Sequence, residues 1–366
     1  MKFNDLLAKI VSEGSSDIHL HAGMPPMARK SGRMVPVSDM KLSPKVTAAL
    51  VDIMCNEDQK RIFSERRQVD LAYAVEGIGR FRVNMFRQRG SVSAVLRVIN
   101  SDESQLQVVN LPEDTINYFR DQEKGILLVT GPTGSGKSTT MCRIIDEVNQ
   151  KYEKMIVTVE DPIEYLHRAK KSVIVQREIG PDALSFKDAL IAAMRQDPDI
   201  ILIGEIRDQE TIAAAIEAAQ TGHLVFGTLH TQDTVRTINR LLDLFPPEER
   251  DTARVLFAES CVGILSQMLL QRKGGGRVAA MEVLKVNLRV RDLIKDEKRT
   301  TEIYEVLKDS TADGMQSFDD HLAQLYEQDL IEYETGYMAA TSAQSFKMAA
   351  TQVHEKRKMA AANANS

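Results

Sequence analysis

The chain has 366 residues, with 47 Lys and Arg against 52 Asp and Glu and a formal net charge of −5. That length accommodates two or three domains, and the interspersed, slightly acidic charge speaks against nucleic acid as a partner. Three cysteines without C-x-x-C spacing give neither a disulfide framework nor a zinc site. No apolar run reaches membrane-span length and Met1-Lys2-Phe3-Asn4-Asp5 lacks a signal-peptide apolar region, so a soluble protein is expected, meeting a membrane only through a partner.

Residues 1–100 read as a mixed α/β unit: helical spacing over 4–12, a short alternating strand over 17–21, a hairpin over 69–75 and 79–86, and a strand over 91–99. The polar stretch 100–107 marks a linker, set at 101–111, and Leu111-Pro112 opens the next unit. From about 112 to 245, apolar strands at 125–130, 155–159, 200–203 and 224–228 alternate with helical segments at 139–148, 185–196 and 208–220. Continuous apolar strands between helices predict a largely parallel sheet covered on both faces. Beyond Pro246-Pro247 the pattern turns mostly helical to about residue 341, with Gly274-Gly275-Gly276 as a flexible turn. Residues 343–366, rich in Ala, Lys, Gln and Asn, read as a disordered tail.

The chemistry starts at Gly131-Pro132-Thr133-Gly134-Ser135-Gly136-Lys137-Ser138, a G-x-x-x-x-G-K-S phosphate loop set between a buried strand and the helix that Thr139 enters. Its glycines let backbone N–H groups face phosphate oxygens, Lys137 can reach the β- and γ-phosphates, Ser138 can ligate magnesium, and the helix N-terminus adds its dipole. Hydrolysis also needs carboxylates. The apolar strand 200–203 delivers Glu205 at its C-terminal tip, where a parallel sheet places its active site. Gly204 stands where many such segments carry an Asp, which assigns the magnesium role to Glu205. In Val159-Glu160-Asp161-Pro162-Ile163-Glu164-Tyr165, the proline breaks the strand and Glu164 falls in the loop beyond, where it could orient or deprotonate water. A lone loop carboxylate would read as surface; two at successive strand ends beside an intact phosphate loop read as catalytic.

His223 and His230 lie at opposite ends of the strand 224–229, too far apart for one metal. His230, at the C-terminal end, is the one placed to sense a γ-phosphate, and a core or surface role competes for His223. Arg80, Arg82, Arg87, Arg89 and Arg97 form a basic cluster in the N-terminal unit, with Arg80 and Arg82 on one side of a strand. A guanidinium brought from outside the nucleotide core can neutralise charge at a γ-phosphate; a solvated face stands as the alternative.

The phosphate loop, the acidic box 158–165, the segment 197–208 and the histidine box Thr221-Gly222-His223-Leu224-Val225-Phe226-Gly227-Thr228-Leu229-His230-Thr231 occur in the order found in type II/IV secretion ATPases. With Gly14-Ser15-Ser16-Asp17-Ile18-His19-Leu20, Gly79-Arg80-Phe81-Arg82-Val83-Asn84 and Gln176-Arg177-Glu178, the chain resembles a PilT/PilU-type pilus retraction ATPase over roughly residues 1–340. The resemblance implies a PAS-like N-terminal α/β domain over 1–100 and a RecA-like P-loop ATPase domain with a helical C-terminal part over 112–342. It further implies an Mg-dependent ATPase working as a homohexamer, ATP between the domains, Glu164 on water, Glu205 on Mg2+, His230 on the γ-phosphate, and Arg82 and Arg97 approaching nucleotide. Its implied partners are an inner-membrane pilus platform protein and a paralogous retraction ATPase, with the ring cytoplasmic and peripheral to the inner membrane at the pilus base. Segment 289–296 keeps Arg291, Leu293 and Ile294 of the retraction motif Ala-Ile-Arg-Asn-Leu-Ile-Arg-Glu and alters the rest, which leaves a PilU-like accessory role open. An assembly or type II secretion ATPase of the same superfamily and a non-enzymatic nucleotide-binding regulator are the other readings.

Overall fold

The structure is a computed structural model that describes residues 3–30, 32–99, 106 and 111–351. The chain forms two compact units, Met1–Asp102 with Pro162–Leu166, and Glu103–Asp161 with His167–Ser366.

The first unit is a six-stranded antiparallel sheet carrying three helices. Its strands are β1 (Asp17–His21), β2 (Met27–Lys30), β3 (Arg33–Pro36), β4 (Gln68–Val75), β5 (Gly79–Gln88) and β6 (Ser91–Ile99), in the order β3-β2-β1-β6-β5-β4. Alternation sorts the faces: Phe81, Val83 and Met85 of β5 are buried while Arg82 between them is exposed. Helix α1 (Phe3–Ser12) turns Leu6, Leu7 and Ile10 into the same core. Helices α2 (Pro44–Met54) and α3 (Glu57–Arg66) carry start signals that hydropathy alone passes over. Ser43 caps the Val46 N–H ahead of Pro44, and Asn56 with Gln59 closes a reciprocal capping box.

The second unit holds a seven-stranded sheet. In chain order its strands are β7 (Gly125–Thr130), β8 (Met155–Glu160), β9 (Val173–Glu178), β10 (Ile200–Ile203), β11 (Leu224–Leu229), β12 (Cys261–Gln271) and β13 (Arg277–Lys285), arranged β13-β12-β7-β11-β10-β8-β9. All neighbours are parallel except the β12–β13 hairpin. The apolar runs are buried on both faces for a period-2 reason: Ile126, Leu128, Val225, Ile201 and Ile203 face one core, and Leu127, Val129, Phe226, Ile200 and Leu202 face the other. Helices α4 (Glu113–Arg120), α5 (Lys137–Lys151), α6 (Phe186–Ala193), α7 (Gln209–Gln220), α8 (Thr234–Leu242) and α9 (Arg250–Ser260) accompany the strands. Ser185 and Asp208 cap α6 and α7. After the hairpin come α10 (Leu288–Lys295), α11 (Ile303–Asp309), α12 (Phe318–Glu327) and α13 (Tyr333–Ala339), with short 3₁₀ turns between.

Two sequence expectations are corrected. The stretch after Pro247 is not continuously helical, because β12 and β13 extend the sheet, with the triglycine as their turn. The apolar run Val262-Gly263-Ile264-Leu265 suits either structure locally; the open edge of β7 decides, since β12 pairs there in parallel register. Gly263 makes the fit possible, because a Cβ at that position would fall on Phe119 and on the Leu284 carbonyl. The disordered tail is likewise corrected at its start. Residues 343–351 are helical, and Phe346 is buried against Phe318, Leu322, Leu325 and Ile331. Both carboxylate oxygens of Asp319 dock the entry to this helix, accepting from the Thr341 and Ser342 N–H groups at 2.7 and 3.0 Å. The rest of that tail, and most of the 101–111 linker, lie outside the described residues.

Candidate active site

Parallel pairing brings the C-terminal ends of β7, β11, β10 and β8 to one edge of the sheet. The phosphate loop leaves β7, His230 follows β11, Gly204-Glu205 follows β10, and Asp161 follows β8. Because β11 lies between β7 and β10, His230 sits between the loop and Glu205. The side chains realise this. His230 Nδ1 lies 3.4 Å from Lys137 Nζ, and His230 Nε2 lies 3.1 Å from Glu205 Oε1. An ammonium can only donate and a carboxylate only accept, so the neutral tautomer with its proton on Nε2 satisfies both neighbours.

Lys137 Nζ also donates to the Gly131 and Pro132 carbonyls at 2.8 and 3.2 Å, holding the ammonium in the mouth of the loop. Glu205 accepts from Arg207 at 2.6 Å, and that guanidinium, more than the neighbouring His230, holds its carboxyl below the ordinary glutamate range despite burial. Glu205 is therefore ionised at neutral pH. Glu205, Arg207, His230, Thr231 and Arg240 line a pocket of about 210 Å³. Gly204 packs tightly on β8: a Cβ there would stand 3.1 Å from Glu160 Cα and 3.3 Å from the Val159 carbonyl. That crowding opposes the Asp that many such segments carry.

The loop has the shape that phosphate binding requires. Gly131, Gly134 and Gly136 have φ of 146°, 78° and 91°, all in the region that excludes most side chains. A Cβ on Gly136 would stand 2.8 Å from Gln267 Nε2, and one on Gly131 would fall on the Gln267 carbonyl. The Ser135 hydroxyl is buried with no hydrogen-bond partner among the described residues. Helix α5 starts at Lys137, so its N-terminal N–H groups, with Ser138 and Thr139 in the first turn, face the loop. A phosphate chain fits this donor set.

His223 has a different place. Its Nδ1 lies 2.8 Å from the Ala218 carbonyl and 3.2 Å from Thr221 Oγ1, so it closes the end of α7. The remaining candidates lie in the first unit. Glu164 is exposed on the 162–166 segment. Arg82 of β5 stands directly opposite Arg97 of β6 in antiparallel register. Arg97 Nε donates to Asp17 Oδ1 at 2.9 Å. Burial alone would raise the Asp17 carboxyl; hydrogen bonds from Arg97 and Ser16 outweigh it and hold that carboxyl below its ordinary value.

Residues that sequence reasoning passed over complete the second unit's site. Arg207, two residues beyond Glu205, was legible as a charged neighbour of a strand tip. Gln267 on β12 was not, because its stretch reads as helix. Thr237 on α8 belongs to a file of hydroxyls that runs from Ser266 on β12 through Thr130, the residue before the loop, and Thr237 to Thr231, the residue after His230, in steps of 2.9, 3.3 and 2.6 Å.

A family model described as Type II/IV secretion system protein matches residues 2–328. The chain is 41% identical to the Type IV pilus retractation ATPase PilT of Pseudomonas aeruginosa over 94% of its own length and 100% of the relative's. It is 37% identical to the Type IV pilus ATPase PilU of the same organism, over 95% of this chain and 91% of that one. Among solved structures, that of the pilus retraction motor PilT with bound ADP superposes with a TM-score of 0.87 at 41% identity, covering 95% of this chain and 99% of that one. Among the described residues, no helix is long and apolar enough to cross a membrane.

Proposed function

We propose, given that the chain belongs to the type II/IV secretion system protein family, that it is an ATP-hydrolysing motor working as a homohexamer to power type IV pilus retraction. The observation that carries this reading is the line Lys137, His230, Glu205 along the sheet edge, beside a loop shaped for phosphates, in a chain 41% identical to a retraction ATPase over 94% of its length. In this reading the backbone of Gly131 to Thr139 and the Lys137 ammonium hold the phosphates. Ser138 and Glu205 hold Mg2+, which supplies charge neutralisation at phosphate oxygens when bound. Glu164 orients the attacking water and takes its proton. His230, with one face on Lys137 and the other on Glu205, registers whether the γ-phosphate is present. Arg82 and Arg97 contribute positive charge from the N-terminal unit.

The motor sits in the cytoplasm against the inner membrane at the pilus base and turns a platform protein there, so that pilin subunits leave the fibre. A PilU-like accessory role is the second reading, and the altered segment 289–296 favours it. Residues 289–295 of that segment lie in α10, where Arg291 and Lys295 both pair with Glu259 of α9. A deletion strain scored for pilus number and twitching separates these readings. Excess pili with lost twitching indicates the principal motor; retained twitching that fails only when a paralogue is weakened indicates the accessory. Loss of pili would refute retraction altogether. In the purified protein, Glu205→Gln is expected to bind ATP and turn it over at least ~100-fold more slowly, the scale of removing one preorganised charge from such a site. Parental turnover would remove Glu205 from the chemistry.

A further inference from the structure

Gln267 is 2% exposed, on the strand beside the phosphate loop. Its Nε2 donates to the Ser135 carbonyl at 2.6 Å, and its Oε1 accepts from Thr140 Oγ1 at 2.7 Å. A backbone carbonyl can only accept, so the NH₂ end must face Ser135. We infer that Gln267 is a positioning residue for the nucleotide site: it turns the Ser135 carbonyl outward, and so aims the next N–H inward at phosphate.

The step follows from peptide geometry. In a planar trans peptide the C=O and N–H point in opposite directions. With the Ser135 oxygen captured on the β12 side, the Gly136 N–H of the same peptide faces the concave side. Lys137 caps the Gly131 and Pro132 carbonyls from the mouth of the loop. Of the two, only Gln267 draws a loop oxygen to the β12 side; the Lys137 ammonium neutralises carbonyls that face the mouth. Thr140, one turn into α5, fixes the Gln267 amide in place. The glycines at 131 and 136 are those that Gln267 leaves no room to replace.

The inference rests on the reading of this loop as a nucleotide site, and the experiment separates the two. Purified full-length protein, its Lys137→Ala variant and its Gln267→Glu variant are titrated with ADP and with AMP in Mg2+, and the ratio of the two dissociation constants is compared. Gln267→Glu keeps the acceptor for Thr140 and removes the donor to Ser135. Its preference for ADP over AMP is expected to fall at least fivefold in protein shown to be folded by circular dichroism. A smaller fall overturns the assignment, as does an undiminished ADP preference in the uncharged Gln267→Met, since the carboxylate of Gln267→Glu repels the additional phosphate by itself whereas general loosening weakens both nucleotides alike. Should Gln267→Glu not fold, Gln267→Asn, whose amide stops one methylene short of Ser135, is judged by the same ratio. If the parent shows no ADP preference, or Lys137→Ala retains it, the nucleotide-site reading itself fails.

Discussion

Glu282 offers a quantitative test of the packing around the candidate site. This β13 carboxyl is 2% exposed, and its Oε1 accepts from the Thr234 N–H, the first of α8, at 2.8 Å. Burial pushes it from an ordinary 4.5 up to about 7; the hydrogen bond from Thr234 opposes the shift, and the charges of Asp233 and Asp319 add to it. Tyr304 from α11 donates to Asp233 at 3.1 Å, Arg236 pairs with Asp233 at 3.2 Å, and His321 from α12 accepts from the Met281 N–H. The native state keeps this proton to about pH 7 while the unfolded chain releases it near 4.5. Between those values the native state binds more protons, so stability falls as pH rises through the window and levels off above it. At ~1.36 kcal/mol per unit the full effect is roughly 3 kcal/mol. Glu282→Gln keeps the acceptor for Thr234 and abolishes the titration. Its unfolding midpoint is expected to match the parent near pH 5 and to exceed it at pH 8 by roughly 6–12 °C, taking ~2–4 °C per kcal/mol for a unit of this size. Thermal unfolding of both proteins from pH 5 to pH 8 makes the comparison. Parallel profiles would refute the claim that a buried proton on Glu282 separates the two states.

Gly131→Ala is expected to abolish nucleotide binding, since φ of 146° and the Gln267 carbonyl both exclude a Cβ; parental affinity in a direct titration would contradict the loop geometry. Phe346→Ala removes a fully buried ring and is expected to cost about 3–5 kcal/mol locally. Hydrogen exchange across 318–351 reads that loss, and unchanged protection would show that the terminal helix is not docked as described.

The parts of this protein that were legible in its sequence are those whose causes are local. The apolar runs of β7, β8, β10 and β11 carry their two-sided burial in composition, and Ser185 and Asp208, which cap α6 and α7, stand at the starts of the helical segments read at 185–196 and 208–220. The phosphate loop, Glu205 and His230 belong to contiguous motifs and were found there. Their mutual arrangement was not, because the line from Lys137 through His230 to Glu205 follows from the strand order β7-β11-β10, which no single segment encodes. The β12–β13 hairpin was missed because an isolated stretch with Gly263 and Leu265 does not reveal that β7 needs a neighbour. Gln267 fell with it. The docking of residues 343–351 was hidden in a polar, alanine-rich composition where one phenylalanine supplies the anchor.

The hairpin also redraws where the catalytic module stops. Every motif of the nucleotide site has passed by Thr231, yet the strands that follow brace the glycine loop through Gln267 and seat the start of α8 through Glu282. A fragment cut just after the histidine box would carry the site's signature residues and lose both props. The residues that prop the nucleotide site therefore extend into β13, some fifty positions past the histidine box, as far as Glu282.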